Sequence, residues 1–141
     1  ALITALASTA LAGCAGKAAP SAAVSADAAR AALAKGKGDK AVMSAEAAVL
    51  ANPRDGATRA LLGAAYIEAG RFASASAAFA DAMALGDISS RTVLTQALSL
   101  SAVGRYPEAQ ALLADRQGDL DAADYGLAIT LAGSPQQGIE V

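Results

Sequence analysis

The chain has 141 residues, 55% of them hydrophobic, 4% aromatic and 17% charged, with a net charge of −2 and no histidine. The acidic balance and the lack of any basic run exclude nucleic acid as the main partner, because phosphate recognition needs clustered Lys and Arg. A single cysteine excludes an intrachain disulfide and leaves no soft-ligand cluster for a metal. Much of the apolar content is alanine and runs of Val, Ile and Thr are nearly absent, so an all-α fold is expected.

Residues 1–13, ALITALASTALAG, are apolar and uncharged. They are too short to span a bilayer comfortably and read as the core of a secretory signal whose beginning precedes Ala1. Leu11-Ala12-Gly13-Cys14 resembles the lipobox of bacterial lipoproteins. That resemblance implies cleavage before Cys14 and acylation of its thiol, hence a lipid-anchored protein of the cell envelope facing the periplasm. Ala15, in place of the aspartate that tends to retain such proteins at the inner membrane, favours the outer membrane. A small apolar cysteine in a buried helix is the competing reading of Cys14. Residues 14–24 then form the lipidated residue and a flexible tether rich in Ala, Gly, Pro and Ser.

Helical patterning fills residues 25–141. Ser25-Ala26-Asp27 is expected to cap a helix running to about Lys35, and a second helix spans about Lys40 to Leu50 and closes at Asn52-Pro53. In residues 56–89, Leu62, Gly63 and Tyr66 share one helical face. Gly70-Arg71-Phe72 makes a turn, and Ala75, Phe79 and Ala82 line the next helix at buried-stripe spacing. A helix capped by Ser89 or Ser90 runs to about Val103. After a turn at Gly104, Pro107 and Glu108 open another that ends near Ala114. Residues 120–132 form a further helix, Gly133-Ser134-Pro135 a turn, and residues 136–141 the start of one more.

The stretch 56–89 resembles the tetratricopeptide repeat (TPR), a 34-residue helix-turn-helix unit. Leu62, Gly63, Tyr66, Ala75, Phe79 and Ala82 carry the motif; Arg59 stands in place of its tryptophan and Asp87 in place of its closing proline. The pattern recurs: Gly36, Gly70 and Gly104 are spaced by 34, as are Ala41, Ala75 and Ala109. Tyr125-Gly126 starts a fourth unit early: Gly133 matches Gly104 but follows it by only 29 residues, so the third unit is expected to have a shortened second helix. The units are about 22–55, 56–89, 90–118 and a partial 119–141. About three and a half repeats make an α-solenoid that is expected to continue past Val141, since a repeat needs a neighbour or a cap. Close helix approach at Gly63 predicts that Gly63→Leu costs about 1–3 kcal/mol by overpacking.

No catalytic constellation and no cofactor motif emerges. Asp119, Asp121 and Asp124 cluster at a helix start, where capping explains them more simply than carboxylate chemistry. The TPR resemblance implies a non-enzymatic scaffold whose first helices line a concave groove for a peptide or amphipathic helix of a protein partner. The matching positions are Ala26 and Arg30, then Ala60, Ala64, Ile67 and Glu68, then Arg91, Leu94 and Leu98. The Lys/Asn/Arg clamp of some TPR co-chaperones is replaced by Ala60, Ala64, Leu94 and Leu98, leaving an apolar groove edged by Arg30, Glu68 and Arg91. Either a partner or further helices of the same chain could fill it. The architecture resembles TPR lipoproteins that support tight-adherence (Flp) pilus assembly. A cell-wall or division factor with a peptidoglycan-binding C-terminal domain is the alternative, and an enzyme with a catalytic domain beyond Val141 a third.

Overall fold

The computed structural model describes residues 20–133. The stretch 1–13 expected as a signal, Cys14, Ala15 and residues 134–141, where a turn and a further helix were expected, lie outside the described residues. Within them the chain forms α1 (Ala22–Leu33), α2 (Gly38–Ala51), α3 (Gly56–Glu68), α4 (Phe72–Ala84), α5 (Ser90–Ala102), α6 (Tyr106–Asp115) and α7 (Ala122–Leu131). A 3-10 turn at Gln117–Asp119 joins α6 to α7. The described residues contain no strand.

Consecutive helices pair from α1 through α7, and the odd-numbered helices also touch, α1 on α3, α3 on α5 and α5 on α7. Helical hairpins therefore stack into a solenoid with the odd helices as one layer and the even helices as the other. The first helices α1, α3 and α5 stop the same way. The amides of Lys37, Arg71 and Arg105 reach back to the carbonyls of Ala32, Tyr66 and Leu100 at 3.0, 2.7 and 2.9 Å. The residue between is a glycine with positive φ: Gly36 (61°), Gly70 (72°) and Gly104 (79°). This is the Schellman stop, which needs a left-handed residue that glycine supplies without a Cβ penalty. Donors, acceptors and glycines all repeat at 34, so the sequence period is the period of the turn.

The core is built largely from alanine. Ala41, Ala75 and Ala109, one on each second helix, are fully buried, as are Ala45, Ala48, Ala65 and Ala82. Leu113 and Val93 are among the largest side chains buried to that degree. One cluster joins α1 to α4 around Val42, Val49 and Leu62; another joins α5 to α7 around Leu100, Leu113 and Ala128. Gly63 faces the ring of Phe79. Tyr66 donates its hydroxyl to Glu46 Oε1 at 2.9 Å, tying α3 to α2. Partial burial and then that carboxylate raise the Tyr66 phenol above the usual tyrosine range.

Three expectations are corrected. α1 begins at Ala22, inside the stretch expected to be tether, because Ser21 accepts the Val24 amide at 3.4 Å and two alanines extend the helix a turn early; Ser25 is buried within it. Gln117–Asp119, expected as a loop between a helix ending near Ala114 and one starting at 120, is a 3-10 turn. The Asp119 amide bonds Arg116 O at 2.9 Å, and Arg116 pairs with Asp115 and Asp119. Ala26, expected on the groove, is buried in the core. The shortened second helix is observed: α6 has 10 residues against 14 in α2 and 13 in α4.

Aspartates set the helix starts. Asp55 accepts from the Ala57 amide at 3.2 Å and from the Thr58 hydroxyl. Asp87 does the same between units two and three, accepting from the Ser89 amide (3.3 Å) and Thr92 Oγ1 (3.1 Å). That explains an aspartate where the repeat usually closes with proline: it satisfies donors at the next helix start. Asp121 caps α7 through the Asp124 amide at 2.7 Å. Asp121 thus caps a helix, as the sequence reading preferred for this cluster, whereas Asp119 pairs with Arg116.

Candidate partner-binding groove

Stacking the odd helices side by side leaves a trough between α1, α3 and α5. Its deepest part is a hollow of about 410 Å³. The floor is small and apolar, with Ala57, Ala60, Leu61 and Ala64 from α3. Small side chains here follow from the fold, because bulkier ones would fill the trough. Arg30 and Leu33 of α1 form one wall, and Arg91 and Thr95 of α5 form the other. Asp87 and Thr92, already bonded to each other, close one corner.

Charge at the rim is cationic and partly uncommitted. Arg30 pairs with Asp27 at 2.8 Å, an exposed i, i+3 pair of small energetic weight. Arg91 is exposed, and no carboxylate pairs with it among the described residues.

Of the residues expected on the groove, Arg30, Ala60, Ala64 and Arg91 line this hollow; Ile67, Glu68, Leu94 and Leu98 do not. Leu94 packs against the α5–α7 core cluster, Leu98 is exposed, and the Glu68 carboxylate lies beside Gly36. Leu61 and Thr95, not expected, do line it. The hollow crosses the array obliquely, from the C-terminal part of α1 through the middle of α3 to the N-terminal part of α5. Assigning the same repeat position to every helix therefore overshoots on α5. Leu61 and Thr95 are themselves 34 apart, the one sequence signal that pairs them.

A second hollow of about 420 Å³ lies between α4 and α6 with Gln96 and Leu100 of α5 as its base. Its polar groups largely serve one another. Gln96 Nε2 donates to Ser76 Oγ at 3.4 Å, and Arg105 Nε donates to Glu108 Oε1 at 2.7 Å. The Arg105 guanidinium holds the Glu108 carboxyl below the usual carboxylate range. No group of His, Cys, Asp or Glu among the described residues is arranged to hold a metal ion. No described helix is long and apolar enough to cross a membrane.

No protein-family model matches the chain, and no curated protein matches it. Solved structures do. The TPR domain of Arabidopsis OM64 superposes with a TM-score of 0.73 at 19% identity, covering 84% of this chain and 97% of that one. The TPR2B-domain:pHsp70 complex of yeast Sti1 superposes with a TM-score of 0.71 at 20% identity, covering 82% and 97%. The chain therefore has the all-α TPR solenoid fold.

Proposed function

We propose that this protein is a non-enzymatic scaffold that holds a segment of a partner protein in its concave groove, and that a lipid on Cys14 anchors it in a bacterial envelope facing the periplasm. The observation that carries the scaffold is the open trough between α1, α3 and α5: an apolar alanine and leucine floor beside an exposed, unpaired Arg91. That chemistry suits an amphipathic helix or short extended segment with an apolar face and an acidic residue at its edge. A TPR domain of yeast Sti1 is known in complex with pHsp70, which supports the reading that this fold presents its surface to another protein. Ala57, Ala60, Leu61 and Ala64 line the groove where a polar clamp would need charged or amide side chains, so the segment is held by apolar contact more than by a bound carboxylate.

The anchor rests on Leu11-Ala12-Gly13-Cys14 and on the polar stretch after it. The lipobox resemblance and the repeat together support a role in assembly of a multiprotein machine, with tight-adherence pilus assembly as the specific reading. The test is in-cell photo-cross-linking from position 60 of the tagged protein, read by mass spectrometry. A secretin, secretion ATPase or pilus platform protein supports that reading; wall synthases or division proteins would replace it. Arg91→Glu is expected to lower recovery of the partner about tenfold while leaving the circular dichroism spectrum intact, since charge reversal at a rim acts on association. Cys14→Ser is expected to abolish fatty-acid labelling and leave the position-60 cross-link in place; persisting label would remove the anchor from the account.

A further inference from the structure

Charge is segregated along the chain. Residues 1–50 carry five basic and three acidic side chains, whereas residues 51–141 carry six and ten. All four lysines fall within the first 40 residues, and three of them, Lys35, Lys37 and Lys40, meet at one place. They surround a hollow of about 230 Å³ at the closed end of the α1/α2 hairpin, together with Ala28, Ala31 and Ala32. No carboxylate pairs with any of the three among the described residues. The two nearby acids are turned to other groups: Asp39 bonds Arg71 at 2.9 Å, and Glu68 approaches Gly36 from α3. The N-terminus of α2 opens at the same place with no side-chain cap, adding the positive end of its dipole.

The other half of this face is apolar. Pro20, just before α1, and Val24 and Ala28 of α1 meet Met43 and Ala47 of α2 across a second hollow of about 240 Å³, and Ala28 borders both hollows. Met43 is 72% exposed and Leu50, on the same stripe of α2 at i+7, is 83% exposed. Neither hollow is lined by α3, so together they form the outward end of the solenoid. A face that joins unpaired lysines to protruding apolar side chains is the pattern of an interfacial membrane-binding surface.

We infer that this N-terminal end face of the α1/α2 hairpin lies on an anionic phospholipid bilayer, lysines at the headgroup phosphates and Val24, Met43 and Leu50 at the acyl boundary. Chain geometry agrees: Cys14 and Pro20 are six residues apart, a reach of at most about 20 Å. A lipid at Cys14 would therefore hold this end at the surface. The face has its own residues, however, and is tested without that lipid.

The experiment uses the full chain with Cys14→Ser and a single new cysteine, Met43→Cys, carrying an environment-sensitive fluorophore; Ala111→Cys on the exposed side of α6 is the reference. The dye at position 43 is expected to shift to an apolar spectrum on vesicles containing about a third phosphatidylglycerol but not on pure phosphatidylcholine, and the dye at 111 on neither. Each lysine near such a surface contributes about fivefold, so Lys35→Gln, Lys37→Gln and Lys40→Gln together are expected to weaken partitioning about a hundredfold at low salt. Arg54→Gln, Arg105→Gln and Arg116→Gln, the same charge change away from the face, are expected to leave it largely unchanged. Equal loss in both triple variants, equal shifts at 43 and 111, or no preference for the anionic lipid would overturn the inference. So would a shift at 43 that grows with protein concentration without vesicles, which would assign the face to a second copy.

Discussion

Gly63→Leu is expected to lower the unfolding free energy by about 3 kcal/mol, the upper part of the overpacking range. A Cβ at position 63 would stand 2.8 Å from Cε2 and Cζ of Phe79 and 2.9 Å from Cδ2. Phe79 is itself buried and cannot swing out to make room. Alanine at 63 already meets the ring; leucine adds three more carbons to the same space. The obstacle is a side chain, so it can be removed. In a Phe79→Leu background Gly63→Leu is expected to cost markedly less, and urea midpoints of the four proteins give the coupling directly. Losses that merely add, within about 0.5 kcal/mol, would show that the ring is not what position 63 encounters.

Gly38→Ala is the sharper case for a single methyl group. Its Cβ would fall 2.7 Å from the Ala69 nitrogen and 2.8 Å from the Ala69 Cα and the Glu68 carbonyl carbon. These are backbone atoms at the end of α3, so no rotamer change relieves the contact. The α1/α2 turn must lift from α3, and the cost is expected at about 2–3 kcal/mol. The loss should come with earlier hydrogen exchange in α1 and α2 than in α3, because the strain sits between two units of a quasi-linear array. Gly118, with nothing near a Cβ and no positive φ, supplies the control: alanine there is expected to change stability by less than about 0.5 kcal/mol. A Gly38→Ala protein that melts like the Gly118 variant would contradict the close approach.

These two glycines separate what could be read from the chain and what could not. Gly63 was legible because it sits in a recognisable string with Leu62 and Tyr66 on one helical face, where a small residue marks a close helix approach. Gly38 was not, since Gly36-Lys37-Gly38 reads as one flexible turn. Only the packed hairpins show that Gly36 is needed for its φ of 61° and Gly38 for its missing side chain. Gly126 marks the other limit. It aligns with Gly63, yet nothing among the described residues stands within 4 Å of a Cβ there, because the segment that would follow in its unit lies outside them.

The groove divides along the same line. Local sequence determines that α1, α3 and α5 form and which stripe of each is apolar. The rotation between successive units comes from the summed packing of hairpin on hairpin, which no single position encodes. Arg30, Ala60, Ala64 and Arg91 line the hollow between α1, α3 and α5, whereas Leu94 and Leu98 do not, and Leu94 is partly buried against the α5–α7 cluster.

A leucine inside a protein can change rotamer and let neighbouring helices slide past one another. Alanine has no rotamer to change. With Ala41, Ala75 and Ala109 fully buried and Gly38 set against the backbone of Glu68 and Ala69, helices approach one another closely through successive units. Such an array has little internal compliance. On the proposed reading, tension applied to a segment seated between α3 and α5 would pass along the helix axes to α1 with little give, and the molecule would act as a stiff strut between its partner and its anchor.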